Sequence, residues 1–290
     1  MLKDYEAEVT KAQKLPGRMF FLEFATPELA KKCGPGEFVM VQVESGTDPF
    51  LRRAFSVFYS EPKKGKLTIL GKSYGFGTTL LGEKKFGNVL RLVGPLGNQF
   101  SRAKKKELTL LVAGGVGLAP LYFYQQALSS AKRKNTVLLL GVRNRAEALA
   151  LKKLMQQAAN LQISTDDGSY GFKGRVTTLL ENYLHTSRNG QPMRILSCGP
   201  DAMMAKTVEI AQQFDLPIEV SLETAMACGY GICIGCAVKS IPNSKESEFP
   251  QTPDGFIYQR ACIDGPVFDG KQVVWEGALA GVLSGEAGQA

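Results

Sequence analysis

The sequence predicts a multidomain β and α/β chain: an antiparallel β-barrel, then a parallel α/β domain, then a small segment built around cysteines. Three observations carry this. The first hundred residues hold short β-patterned runs broken by turns, Glu107 onward alternates apolar strands with helices, and Cys228, Cys233, Cys236 and Cys262 gather near the C-terminus. The changes of pattern put the boundaries at 1–104, 105–217 and 218–290.

In the first domain, Arg18–Phe24, Glu37–Val43, Ala54–Tyr59, Lys66–Lys72 and Asn88–Val93 have strand pattern. Gly34-Pro35-Gly36, Lys63-Lys64-Gly65 and Gly94-Pro95-Leu96-Gly97 supply the turn chemistry between them. In the second, Leu108–Ala113 is an unbroken apolar strand, Gly114–Gly117 a turn, Leu118–Ala131 a helix and Thr136–Gly141 the next strand, which makes a βαβ unit. Helices over Ala146–Ala159, Val176–Leu184 and Asp201–Phe214 and strands over Leu161–Thr165 and Arg194–Ser197 continue the alternation, so a parallel sheet is expected. After Ile218–Leu222 the pattern lapses, and the small, glycine-rich Gly277–Ala290 is expected to be a disordered tail.

A chain of 290 residues, 44% of them hydrophobic, can bury cores for two or three domains. There is no apolar region behind Met1 and no run of about 18 apolar residues, so neither export nor membrane spanning is expected and the location implied is cytoplasmic. The net charge of +8 comes partly from small lysine clusters such as Lys104-Lys105-Lys106, the mark of solvated turns rather than of a nucleic-acid surface. Excess positive charge suits a redox partner or an anionic cofactor.

The four cysteines stand as C-x4-C-x2-C followed by a distant Cys, the spacing of a plant-type [2Fe–2S] site. Gly229, Gly231 and Gly235 let the backbone turn tightly and aim N–H groups at sulfur. A structural zinc site is the alternative, although zinc thiolates usually come as two short knuckles. Disulfides suit a reduced compartment poorly. Cys33 and Cys198 lie outside the set.

Two segments of the barrel carry anion-binding chemistry. Arg53-Ala54-Phe55-Ser56 opens a strand with a guanidinium that matches a pyrophosphate, and Gly77-Thr78 starts a short helix with free N–H groups and a hydroxyl. In the α/β domain, Gly114-Gly115-Val116-Gly117 resembles a dinucleotide fingerprint with Pro120 in place of its third glycine. A second turn, Cys198-Gly199-Pro200, ends another strand of the same sheet, where ligands bind, and would set Cys198 beside a nicotinamide. Asp166, Asp167, Arg143 and Arg145 follow further strands and leave NAD and NADP both open.

Together with Gly94–Gly97 and Cys262–Phe268, these motifs resemble the ferredoxin-reductase superfamily over essentially the whole chain, and within it the electron-transfer subunits of NAD-linked dihydroorotate dehydrogenases. The resemblance implies FAD held through Arg53, Ala54, Phe55, Ser56, Gly77 and Thr78, with Leu70, Gly71 and Lys72 beside the isoalloxazine. It also implies a [2Fe–2S] cluster on the four cysteines, NAD as exchangeable substrate at Gly114, Gly115, Gly117, Cys198, Gly199 and Pro200, and an FMN-containing catalytic partner in a heterotetramer of pyrimidine biosynthesis. Sister reductases built from the same parts, the small subunits of an NADH-dependent ferredoxin:NADP oxidoreductase or of a sulfhydrogenase, remain alternatives, as does a zinc-stabilised module without redox activity. Two departures from the family stand out, the long stretch between Cys236 and Cys262 and Phe55 inside the Arg53–Ser56 motif. Nicotinamides exchange electron pairs and clusters single electrons, so a flavin must stand between them. Such a hydride step needs no acid–base residue: none is assigned, and the single histidine, His185, is expected at the surface.

Overall fold

A computed structural model describes residues 3–46, 48–187, 190–242 and 249–275. The tail from Gly277 and the middle of the stretch between Cys236 and Cys262 lie outside the described residues. The N-terminal half comprises β1 (Asp4–Leu15), β2 (Met19–Ala25), α1 (Pro27–Ala30), β3 (Phe38–Val41), β4 (Arg53–Glu61), β5 (Lys66–Lys72), α2 (Phe76–Gly82) and β6 (Val89–Leu96). These strands close an antiparallel barrel in the order β1-β2-β5-β4-β3-β6, as expected.

One strand has no counterpart in the sequence reading. In β1, buried Tyr5, Ala7 and Val9 alternate with exposed Glu6 and Glu8, a usable period of two. The register then shifts between Val9 and Lys11, and the strand continues as polar Lys11-Ala12-Gln13-Lys14. A bulge of this kind moves the alternation out of phase and hides the strand.

The second half comprises β7 (Leu108–Gly114), a 3₁₀ turn (Gly115–Gly117), α3 (Leu118–Ala127), α4 (Ser130–Arg133), β8 (Thr136–Val142), α5 (Arg145–Leu154), β9 (Leu161–Thr165), β10 (Phe172–Lys173), α6 (Val176–Ser187), β11 (Met193–Cys198), α7 (Asp201–Gln213) and β12 (Ile218–Ser221). The cysteine segment adds β13 (Ala237–Ser240), β14 (Ile257–Arg260) and β15 (Val267–Asp269). The large sheet runs β10-β9-β8-β7-β11-β12-β15, and β13 and β14 form a separate hairpin. All pairings in the large sheet are parallel except the last: β15 runs antiparallel to β12, Ser221 opposite Val267. The cysteine segment thus closes an edge that β12 would otherwise leave bare. Strand order reverses between β7 and β11, where a crevice opens at the strands' carboxyl ends.

The expected helix Leu118–Ala131 is broken. Leu128 is extended, and Arg133 donates to the carbonyls of Gln126 and Leu128, satisfying the end of α3 before α4 begins. The helix expected over Ala146–Ala159 starts at Arg145, where the Asn144 side chain accepts from the Glu147 N–H at 3.1 Å, and stops at Leu154.

Barrel and sheet share their cores. Phe58 of the barrel stacks on Tyr122 of α3 at 4.8 Å between ring centroids, a contact worth about 0.5–1.5 kcal/mol beyond the area it buries. Buried Arg194 of β11 donates to the Ser101 hydroxyl (2.6 Å) and carbonyl (2.7 Å) and to the Tyr124 hydroxyl, with Glu107 3.6 Å away. A guanidinium so enclosed is tolerable only with its partners present, which pins the linker between the two halves.

Gly94, Pro95 and Leu96, expected in a turn, instead continue β6 and pair with β3 at Phe38, and Asn98 just beyond them performs a second clamp. Its amide donates to the carbonyls of Asp264 (3.1 Å) and Val267 (2.9 Å) and accepts from the Val267 N–H (2.9 Å), while its own N–H donates to Gly265 (2.7 Å). The barrel exit therefore holds the chain just beyond Cys262. Asn98→Ala is expected to lower unfolding stability by about 1–3 kcal/mol, because Val267 and Asp264 lose their partner, and equilibrium denaturation in urea measures it.

Candidate electron-transfer site

Three strands end level at the sheet's carboxyl edge, with Cys198 of β11 opposite Ala113 of β7 on one side and Ser221 of β12 on the other. The chain beyond each strand therefore emerges at one place. A Cβ at Gly117 would overlap the Cys198 carbonyl, and one at Gly199 would stand 2.9 Å from the Gly114 nitrogen. Only residues without side chains let the two turns touch. Gly115, at φ +54°, faces open space, the arrangement that lets a phosphate approach backbone N–H groups. Gly114, Gly115, Gly117, Cys198, Gly199 and Pro200 are thus brought together.

Cys198 is buried. Burial pushes its thiol well above the ordinary range and the Glu223 charge pushes it further, against the Ser221 hydroxyl and the Gly199 N–H. A thiol so held is inert at neutral pH and acts as a wall. At the neighbouring strand ends, Arg143 pairs with Glu147 (3.1 Å), and the Asp167 carboxylate accepts from the Ser169 N–H (2.9 Å) and hydroxyl (2.6 Å). Asp167 spends its charge holding its own turn.

On the barrel, Arg53 lies against the Cα of Gly77, where a Cβ would stand 2.8 Å from Nη2. The two anion-binding segments therefore form one cradle. The Thr78 hydroxyl accepts from the N–H groups of Tyr74 (2.9 Å) and Gly75 (3.1 Å) and donates to the Gly75 carbonyl, so it caps α2. Along β4, Phe55 points into the barrel core, packed edge-on against Phe20 at 5.8 Å. Ala54 and Ser56 face outward and are half-buried. Arg52 turns away to Asp4 (2.8 Å). Gly71 has a packing reason of its own: a Cβ there would strike the Phe20 and Phe55 rings. Leu70 is buried in the core shared with the sheet.

The cysteine loop rests on the barrel. A Cβ on Gly229, at φ +82°, would reach Met40 of β3 at 2.6 Å, and Met40 pairs with Ala54 across the barrel wall. Cys236 and Cys262 are buried, Cys228 is half-buried and Cys233 exposed. Burial pushes the Cys228 thiol up, but N–H groups of Cys233, Tyr230 and Ile232 and the Cys233 thiol outweigh it and bring it down to about 6. Burial, then the hydrogen bond to Cys236 and its charge, push Cys262 to about 12, opposed by the Gly231 N–H. The thiols thus couple as Cys228 with Cys233 and Cys236 with Cys262. Among the described residues no three His, Cys, Asp or Glu side chains gather round a single ion position. Two thiol pairs with N–H donors aimed at sulfur suit a cluster of two irons carrying four thiolates.

Sequence reasoning gave Glu223 no role. It lies just past the carboxyl end of β12, with part of its surface exposed and protein packed around the rest. Desolvation pushes its carboxyl up, as does Asp201, while Lys72 of the barrel pulls it down. Lys72 itself is lowered, by burial first and then by Arg143, with Glu147 and Glu223 opposing. Its ammonium lies 5.0 Å from the Tyr74 ring centroid. Thr224, the next residue, carries a buried hydroxyl without a partner. The available signal for Glu223 was its position just past a strand's carboxyl end.

A glycine-lined sheet edge beside an antiparallel barrel defines an oxidoreductase subunit of the ferredoxin-reductase type. Residues 111–209 match the family described as oxidoreductase NAD-binding domain, and residues 223–274 match the iron-sulfur cluster binding domain of dihydroorotate dehydrogenase B. The chain is 36% identical to the dihydroorotate dehydrogenase B (NAD(+)) electron transfer subunit of Desulforamulus reducens, over 95% of this chain and all of that one. It is 35% identical to the Geobacillus kaustophilus subunit, covering 83% of this chain and 86% of the other. The chain belongs to the family of dihydroorotate dehydrogenase B electron transfer subunits. It is also similar to the NADH-dependent reduced ferredoxin-NADP oxidoreductase studied for flavin-based electron bifurcation, with TM-score 0.78 and 28% identity over 94% of this chain and 91% of the other. The fold is shared with a Neisseria gonorrhoeae ferredoxin NADP+ reductase, at TM-score 0.59 and 20% identity over 73% of this chain and 91% of that one.

Glu223 sets a pH dependence. A carboxyl raised in the folded protein contributes stability that is fully present below its unfolded value and is lost as pH rises through the folded one. Glu223→Gln is therefore expected to flatten the fall in melting temperature on going from about pH 4 to about pH 8, and to match the parent at the acid end. Thermal scans across that range check it.

Proposed function

We propose that this chain passes electrons between a nicotinamide dinucleotide on the sheet edge, FAD on the barrel and a [2Fe–2S] cluster on Cys228, Cys233, Cys236 and Cys262. In this reading it serves an FMN-containing catalytic subunit that oxidises dihydroorotate, in a cytoplasmic heterotetramer of two of each, within pyrimidine biosynthesis. Residues 1–104 would form the FAD domain, 105–217 the NAD domain and 218–290 the cluster domain. Neither membrane nor nucleic acid enters.

One observation carries the reading: an unbroken line of contact joins the three candidate sites. Gly229 of the cysteine loop backs onto Met40, Met40 pairs with Ala54, and Ala54 lies in the Arg53–Ser56 segment. On the other side, β5, which pairs with β4 and carries Leu70, Gly71 and Lys72, lies against the Gly115–Gly117 turn.

The chain's residues would divide the work by position. Arg53, braced over Gly77, offers its guanidinium to the flavin pyrophosphate, while Thr78 keeps the turn in shape. Outward Ala54 and Ser56, with the backbone of Phe55, line the flavin's place on the barrel wall, beside Leu70, Gly71 and Lys72. Gly114, Gly115 and Gly117 leave their N–H groups for the dinucleotide phosphates, and buried Cys198 and Gly199, followed by exposed Pro200, form the wall beside the nicotinamide. A flavin bound there supplies the exchange between hydride and single electrons. No residue need move a proton for that exchange.

The NAD-linked name of the relatives favours NAD over NADP. A second reading, the small subunit of a reductase that serves ferredoxin and NADP, is favoured by the similarity at TM-score 0.78. Anaerobic co-purification with the candidate catalytic subunit separates the two. Dihydroorotate-dependent NAD+ reduction is expected only when this chain is present, and Cys236→Ser is expected to abolish it while leaving NADH bleaching of the flavin intact. Equal activity without the chain would refute the assignment.

A further inference from the structure

The turn holding Gly231 faces sulfur with two successive peptide groups. The Gly231 N–H donates to Cys262 and the Ile232 N–H donates to Cys228. Between those two N–H groups lies the Gly231 carbonyl, and it accepts from Arg260 Nη1 at 3.4 Å. Gly231 sits at φ +85°, and a Cβ there would press on Ile263 at 2.7 Å, so this orientation of the turn needs glycine. Arg260 belongs to β14, two residues before Cys262, and its place is set from a third direction. The Asp264 carboxylate accepts from its Nε at 3.2 Å and from its backbone N–H at 2.6 Å, while the Asp264 N–H donates back to the Arg260 carbonyl at 2.8 Å. A guanidinium tied down at one end and aimed at a single carbonyl is a built contact.

We propose that Arg260 is a positioning residue that acts through the Gly231–Ile232 peptide on the Cys228 sulfur, and so raises the reduction potential of the group held by the four cysteines. The inference rests on the cluster reading given above. One-electron reduction adds negative charge to the sulfurs, so N–H groups donated to them favour the reduced state and raise the potential. A cation on the carbonyl of the same peptide polarises its N–H toward sulfur, because hydrogen bonds in series strengthen one another. The guanidinium charge acts in the same direction by itself. A lysine would keep that charge but could not hold the Asp264 carboxylate and reach Gly231 with one planar fork.

The test uses the purified holoprotein with its flavin and cluster, in three forms: parent, Arg260→Lys and Arg260→Gln. Iron and acid-labile sulfide are counted first, and the potential is then read by titration followed by electron paramagnetic resonance of the reduced state. A more negative potential is expected in both variants, larger for Arg260→Gln, with a shift of the resonance positions that reflects the altered Cys228 bonding. A merely structural role would lower yield or melting temperature and leave the potential where it was. If Arg260→Gln loses iron, Arg260→Lys carries the comparison. Unmoved potential and resonance positions in iron-replete variants overturn the inference alone, whereas a parent protein without iron overturns the cluster reading beneath it.

Discussion

The site depends on the way β12 is held from both sides. On one side it pairs in parallel with β11, Ser221 beside Cys198; on the other it pairs antiparallel with β15, Ser221 opposite Val267. The chain leaves β12 to make the cysteine loop and returns to the same residue afterwards. That double pairing fixes where the cysteines lie relative to the Cys198–Pro200 turn, and Asn98 fixes the returning strand to the barrel. Among its described residues the regular structure of the loop is the hairpin of β13 and β14.

Charge in the cleft is arranged by surroundings rather than by simple pairing. Lys72, Asp201, Glu223 and Cys198 come from the barrel, from α7, from the end of β12 and from the end of β11, and burial leads among the causes that shift each of them. Desolvation favours the neutral form of each. Partial desolvation of this kind lowers the net charge that these side chains carry. At the far side of the barrel wall the balance reverses: N–H groups converge on Cys228 and pull it toward the thiolate. The chain thus separates a place for neutral hydride chemistry from a place for anionic sulfur.

Much of the fold was legible. The strands β7 and β8 are nearly continuous apolar runs closed by glycine or turn residues, and local pattern alone reveals them. By contrast, β1 fell to a bulge that put its alternation out of phase, and α3 ends at Ala127, where Leu128 turns extended and Arg133 takes up the Gln126 and Leu128 carbonyls. The strand β15 could not be found at all from Val267–Asp269, since three residues hold no period. The candidate site divides likewise. Arg53 and Gly77 were named from chemistry and lie in contact, whereas the Thr78 hydroxyl serves a helix cap and the Phe55 ring the barrel core.

By itself the sequence determined which atoms are available: four thiols at cluster spacing, glycines where backbone must approach backbone, and a guanidinium at the head of a strand. These are local properties, set by side-chain type and by spacing along the chain. The tertiary structure alone decided which of them meet. Gly229 on Met40, Asn98 on Val267, Glu223 near Lys72 and Arg260 on Gly231 join residues remote in the chain or carried on separate turns, and such meetings depend on strand register and sheet order. No period or motif encodes them, because the energy that selects them comes from burial and hydrogen bonding shared across the whole fold.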